Sequence, residues 1–155
     1  MTGVTLVMGS GGVGKTTVAA GVAALSARRG ARTLVITVDP ARRLADAMGV
    51  TIGNEPGPVP GSADLDAAML DAAAAWEAIV RAHADPSTAK RLVSNPYFRA
   101  IAERFPSGQA YAAGEEVLRH AQSGKYARIV VDTPPIEGGL AFLTAPERIR
   151  TLVAG

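Results

Sequence analysis

The chain has 155 residues, 48% of them hydrophobic and 19% charged, which suits one folded domain with an ordinary core and not a disordered segment. A formal net charge of only +2 gives no reason to expect a nucleic-acid partner or an anionic membrane surface. The absence of cysteine excludes disulfides, thiolate metal sites and a Cys nucleophile. With no export signal at the N-terminus, the expected location is cytoplasmic. Every apolar run stops well short of the roughly 18–20 residues needed to cross a bilayer, so no direct membrane insertion is expected.

In chain order, residues 4–8 form a short apolar, β-branched run ending in glycines, and residues 16–29 carry Val18, Val22 and Leu25 at helical spacing. Gly30 closes that helix. Residues 33–38 read Thr-Leu-Val-Ile-Thr-Val, a strand of the kind covered on both faces by helices in a parallel sheet. A helical turn or two is expected over 41–48, then a Gly/Pro loop over 49–61. A weakly marked strand at 65–70 precedes an Ala-rich helix over 71–83 with Trp76, Ile79 and Val80 on one face. Pro86, Pro96 and Pro106 divide 85–105 into short helical pieces, and a longer helix spans 110–122, so 71–122 reads as a helical insertion. Within it, Trp76, Tyr97, Phe98, Phe105 and Tyr111 are expected to form core. Residues 128–131 give a second buried strand, Arg-Ile-Val-Val, and a last helix is drawn from Gly138 through Leu152. The expected fold is α/β, a mostly parallel sheet flanked by helices in one domain spanning 1–155.

Residues 9–16 read Gly-Ser-Gly-Gly-Val-Gly-Lys-Thr between a strand and a helix, and this satisfies the complete phosphate-loop pattern. The segment Gly9, Ser10, Gly11, Gly12, Val13 and Gly14 can wrap an anion, because glycines let successive backbone N–H groups and the helix N-terminus face it. Lys15 would reach β- and γ-phosphate oxygens, the Thr16 hydroxyl would hold Mg²⁺, and Thr17 would support the α-phosphate. The implied ligands are ATP and Mg²⁺. A ligand-free glycine turn would not call for Lys-Thr at that position.

Asp39 and Asp132 each follow an apolar strand, so in a parallel sheet both lie at the edge that carries the phosphate loop. A carboxylate there holds the metal or orients the attacking water, or else caps the next turn, and the sequence does not divide these roles. Asp39, Asp132 and Thr16 are the candidate metal residues, and Lys15 and Asp39 the candidate catalytic ones. His83 and His120 stand far apart, without metal-ligand spacing, and read as surface or packing residues.

Three segments together resemble the ArsA-like ATPases, which comprise arsenical pump-driving and tail-anchored-protein targeting ATPases: the loop at 9–17, Asp39-Pro-Ala41 followed by Leu44-Ala-Asp-Ala47, and Asp132-Thr-Pro-Pro135 followed by Leu140-Ala-Phe-Leu143. The resemblance implies a P-loop fold, Lys15 and Thr16 as phosphate and Mg²⁺ residues, Asp39 and Asp132 as the two switch aspartates, and Leu44 and Ala47 as packing residues. It also implies ATP hydrolysis coupled to movement of loops 39–48 and 132–140. Ser10 stands where the family carries a second lysine that acts across a dimer interface, and Ile136-Glu-Gly138 replaces the usual Thr-Gly-His. The family continues beyond residue 155 with further strands, so the expected sheet is incomplete, with one edge covered by a homodimer or partner chain. Two other readings stay open: a nucleotide-binding module that hydrolyses poorly, and a P-loop kinase acting on a small hydroxyl acceptor. The client protein is not legible.

Overall fold

The computed structural model describes residues 2–38, 43–98 and 106–133. Five strands form one sheet: β1 (Gly3–Val7), β2 (Thr33–Thr37), β3 (Gly57–Pro58), β4 (Leu65–Met69) and β5 (Arg128–Asp132), in the order β1-β5-β2-β4-β3. All pairings are parallel except the short β3–β4 pair. The helices are α1 (Lys15–Arg28), α2 (Arg43–Met48), α3 (Ala72–His83), α4 (Pro86–Val93) and α5 (Pro106–Gln122). Among these residues no helix is long and apolar enough to cross a membrane. The expected α/β architecture is therefore the observed one.

β2 is buried along its whole length because the sheet is covered on both faces. On one face Ala19, Ala23 and Ala27 of α1 meet Val35, Leu44, Leu65 and Val130. On the other, Val117 and Tyr126 meet Leu34, Ile36, Ile129 and Val131. The face that α1 buries differs from the expected stripe: Val18 is 54% and Leu25 49% exposed, whereas Ala19 and Ala23 are fully buried. Alanines let the helix axis approach the strands closely, and a valine or leucine facing the sheet would hold it off. Leu44 is buried as expected, but Ala47 is exposed.

The weakly marked strand at 65–70 is real, and it lies between β2 and β3. Its Asp66 is only 2% exposed and accepts two bonds from Arg32, each of 2.8 Å, and one from the Tyr126 hydroxyl at 2.7 Å. Lys125 adds an ion pair at 3.1 Å. These groups sit where β2, β4 and β5 begin and tie the three strands together. Burial pushes the Asp66 carboxyl up, but the bonds from Tyr126 and Lys125 and the charge of Arg32 outweigh it and hold the carboxyl below its ordinary range.

In the helical region, Trp76 stacks on Tyr111 with ring centroids 5.7 Å apart, in keeping with a packing role. Tyr97, expected in the core, is 73% exposed, at the second residue of a helical stretch that begins at Pro96. α3 and α4 begin under carboxylate caps: Asp71 accepts from the Ala74 amide, and Asp85 from those of Ser87 and Thr88. α5 already includes Pro106, four residues ahead of the expected 110. Phe105 and the helix expected from Gly138 lie outside the described residues.

Candidate functional site

The parallel register brings three strand ends to one edge. Val7 pairs with Asp132, and Asp132 pairs with Thr37, so the strand that feeds the glycine loop, β5 and β2 finish level with one another. Asp132 is 1% exposed and occupies the middle of this row. Its carboxylate accepts a bond from the Thr37 hydroxyl at 3.3 Å. The next residue, Thr133, donates both its hydroxyl (2.8 Å) and its amide (3.3 Å) to the Val7 carbonyl, which fastens β5 to β1 immediately before the loop. Asp39 lies outside the described residues, as do Pro40, Ala41 and Arg42; Thr37, two residues before Asp39, is at this same edge.

Residues 8–14 lead from β1 into α1 as an irregular loop. Gly12 has φ +78° and Gly14 φ +89°, a left-handed backbone that glycine adopts without penalty. A Cβ on Gly9 would lie 3.0 Å from Val13 Cγ2 and 3.4 Å from Lys15 Cγ, a tight fit that those side chains would have to ease by a few tenths of an ångström. Gly14 is the N-cap of α1 and supplies no side-chain cap, and the first helical turn carries no acidic residue. The free N–H groups and the positive end of the helix dipole are therefore left to an anion. Lys15 is the first residue of α1, and its Nζ donates to the Ser10 carbonyl at 2.9 Å. The lysine thus lies back along the loop where a phosphate would sit. Thr16 follows in the first turn, half-buried, and Thr17 is exposed.

The predicted residues Gly9, Ser10, Gly11, Gly12, Val13, Gly14, Lys15 and Thr16 accordingly form one loop-and-helix start, with Asp132 at the level of the strand that feeds it. The oxygen donors, a threonine hydroxyl and a carboxylate, are of the kind Mg²⁺ takes, and the glycine cradle fits the phosphates that would share it. Thr37 and Thr133 carry no site signal in the sequence. Each is a small polar residue at the end of a buried strand beside an aspartate, but the pairing that joins β2 to β5 is non-local.

Among the cavities lined by described residues, one of about 250 Å³ is bordered by Ile36, Leu70, Asp71, Glu116, Arg119 and His120, and a groove of about 490 Å³, which Thr17 borders, runs between α1, Met48 and Val59. Neither includes the loop glycines or Asp132. A phosphate loop binds through backbone N–H groups in an open cradle, so an enclosed cavity is not needed. His120 is buried against Tyr126 and His83 is exposed. At the first cavity Glu116 bonds His120 Nε2 at 3.0 Å and also pairs with Arg119. Burial raises its pKa, but the bonds from His120 and Arg119 prevail and hold it at about 2.

Comparison with known proteins places the chain in a family. The family model for anion-transporting ATPases matches residues 2–154. An ATPase GET3 of Rhodotorula glutinis is 32% identical over 89% of this chain, and an ATPase GET3 of Malassezia globosa is 30% identical over 89%. A Halobacterium salinarum protein provisionally named an arsenical pump-driving ATPase is 34% identical, also over 89% of the chain. The chain spans 23–40% of the length of these three relatives. With a matching family model over nearly its whole length, a mostly parallel α/β sheet and a complete phosphate loop at the carboxyl edge, the chain belongs to the anion-transporting ATPase family.

Proposed function

We propose that this chain binds ATP with Mg²⁺ at the carboxyl edge of the sheet and hydrolyses its terminal phosphoanhydride, and that loops 39–48 and 132–140 respond to the nucleotide state. The observation that carries this reading is the level alignment of Val7, Asp132 and Thr37 beside a loop whose glycines and uncapped helix start suit a polyphosphate. In it, the loop amides from residues 9–14 bind the phosphates, and Lys15 exchanges the Ser10 carbonyl for β- and γ-phosphate oxygens. Thr16 and Asp132 hold Mg²⁺, with Asp39 orienting the attacking water or assisting with the metal, and Thr17 supports the α-phosphate. Mg²⁺, when bound, neutralises charge on the phosphates. A second copy or a partner chain covers the sheet edge.

The test is calorimetry with Mg²⁺ and ATP, together with phosphate release, on the wild type and Lys15→Ala. A charge-assisted phosphate bond should be lost, and binding should fall severely. Unchanged affinity in Lys15→Ala would overturn the reading. A second reading, a module that binds nucleotide but turns it over slowly, is favoured by Ser10: it is exposed and offers Lys15 a carbonyl while supplying no cation of its own. Tight binding without phosphate release would select it. Phosphoryl transfer to a small hydroxyl acceptor would select the kinase alternative.

A further inference from the structure

We infer that Thr37 is a positioning residue, whose buried hydroxyl sets the orientation of the Asp132 carboxylate with which this site would hold Mg²⁺. The inference rests on the function proposed above and deepens it. β2 reads Thr-Leu-Val-Ile-Thr and is buried throughout. A hydroxyl in such a place costs free energy unless it is bonded, and a valine of nearly the same shape would avoid that cost. The other strand threonine, Thr33, bonds the Ala31 carbonyl two residues away at 2.7 Å. Thr37 instead reaches across the sheet to a carboxylate 95 residues distant in sequence. Both partners are nearly sealed from water, Thr37 at 2% and Asp132 at 1% exposure.

Register places the two residues directly opposite each other on adjacent parallel strands. A β-branched side chain has few χ1 choices in a strand, so the Thr37 hydroxyl is pre-set and not recruited from a mobile rotamer. On the other flank, Thr133 locks the following backbone to Val7. The Asp132 carboxylate is thereby held from the side of β2 while its backbone is held from the side of β1. The contact of 3.3 Å is long beside the roughly 2.5–2.7 Å of a tight hydroxyl–carboxylate bond. Bonds of this kind commonly tighten when a site is loaded.

Partners that orient a metal ligand are typically worth about 10–100-fold in metal affinity. The experiment is a Mg²⁺ titration of the full chain with saturating ATP, with Mn²⁺ binding followed by electron paramagnetic resonance as a second measure. ATP affinity in a chelator and thermal unfolding are recorded alongside. Thr37→Val should weaken metal binding by about 10–100-fold while leaving metal-free ATP affinity near that of the wild type. Thr37→Ser should recover most of the loss. In an Asp132→Asn background, Thr37→Val should add little, since the carboxylate it orients is already gone. If Thr37→Val does not fold, Thr37→Ala carries the same comparison. Wild-type metal affinity in the Thr37 variant alongside weakened affinity in Asp132→Asn would overturn this inference and leave the proposed function standing. Unaltered metal affinity in Asp132→Asn would remove Asp132 from the metal site and the inference with it.

Discussion

Glu116 accepts from His120 and Arg119 within one turn of α5, and Asp66 accepts from Arg32 and Tyr126 where the strands begin. Both carboxyls titrate below their ordinary values in the folded chain, so the folded state prefers them ionised more than the unfolded state does. That preference is present in full above the unfolded pKa and is lost as the pH falls through the folded one. For Glu116 the window runs from its ordinary 4.5 down to about 2. Urea midpoints measured across this range should fall with pH, and Glu116→Gln should flatten part of the decline. An unchanged slope in that variant would assign the acid sensitivity elsewhere. The Glu-x-x-Arg-His spacing was open to reading as a helix-face network. The Asp66 network was not, because Arg32, Asp66, Lys125 and Tyr126 come from three separate segments. The same contrast runs through the site. The loop at 9–16 was legible because all its chemistry is contiguous, whereas Thr37 gains its meaning only when β2 lies beside β5.

At the scale of elements, α1 turns alanines toward the sheet and leaves Val18 and Leu25 substantially exposed. Hydrophobic spacing alone ranks valine and leucine above alanine and so selects the wrong face; the deciding quantity is the distance at which helix and strands pack. Replacing fully buried Ala23 with Leu should cost about 1–3 kcal/mol through overpacking. Leu25→Ala, at a position 49% exposed, should cost less. Urea denaturation of the two variants checks the order, and the reverse order would mean that the leucine face is the buried one. β2 and β5 were legible as nearly unbroken apolar runs. β4 reads Leu-Asp-Ala-Ala-Met, a weak strand signal, and its buried aspartate is accommodated only by partners just ahead of β2 and β5. β3 is a Gly-Pro pair with no strand propensity, held by its antiparallel register with β4.

Taken whole, the sheet is asymmetric: β5, β2 and β4 each lie between two neighbours, β3 ends one side, and among the described residues β1 pairs with β5 alone. An edge bearing exposed Val4 invites another strand or chain. Light scattering over a concentration series should therefore detect self-association, and Val4→Lys, which places a charge on that edge, should reduce it. Equal association in both proteins would move the contact away from β1. The stack of Trp76 on Tyr111 has a practical consequence of a different kind. The chain carries one tryptophan, its indole Nε1 is buried without a hydrogen-bond partner among the described residues, and it lies between α3 and α5. Intrinsic fluorescence is consequently a single-site optical reporter of the helical layer, and any change in emission when nucleotide is added would register a signal carried from the glycine loop to that layer.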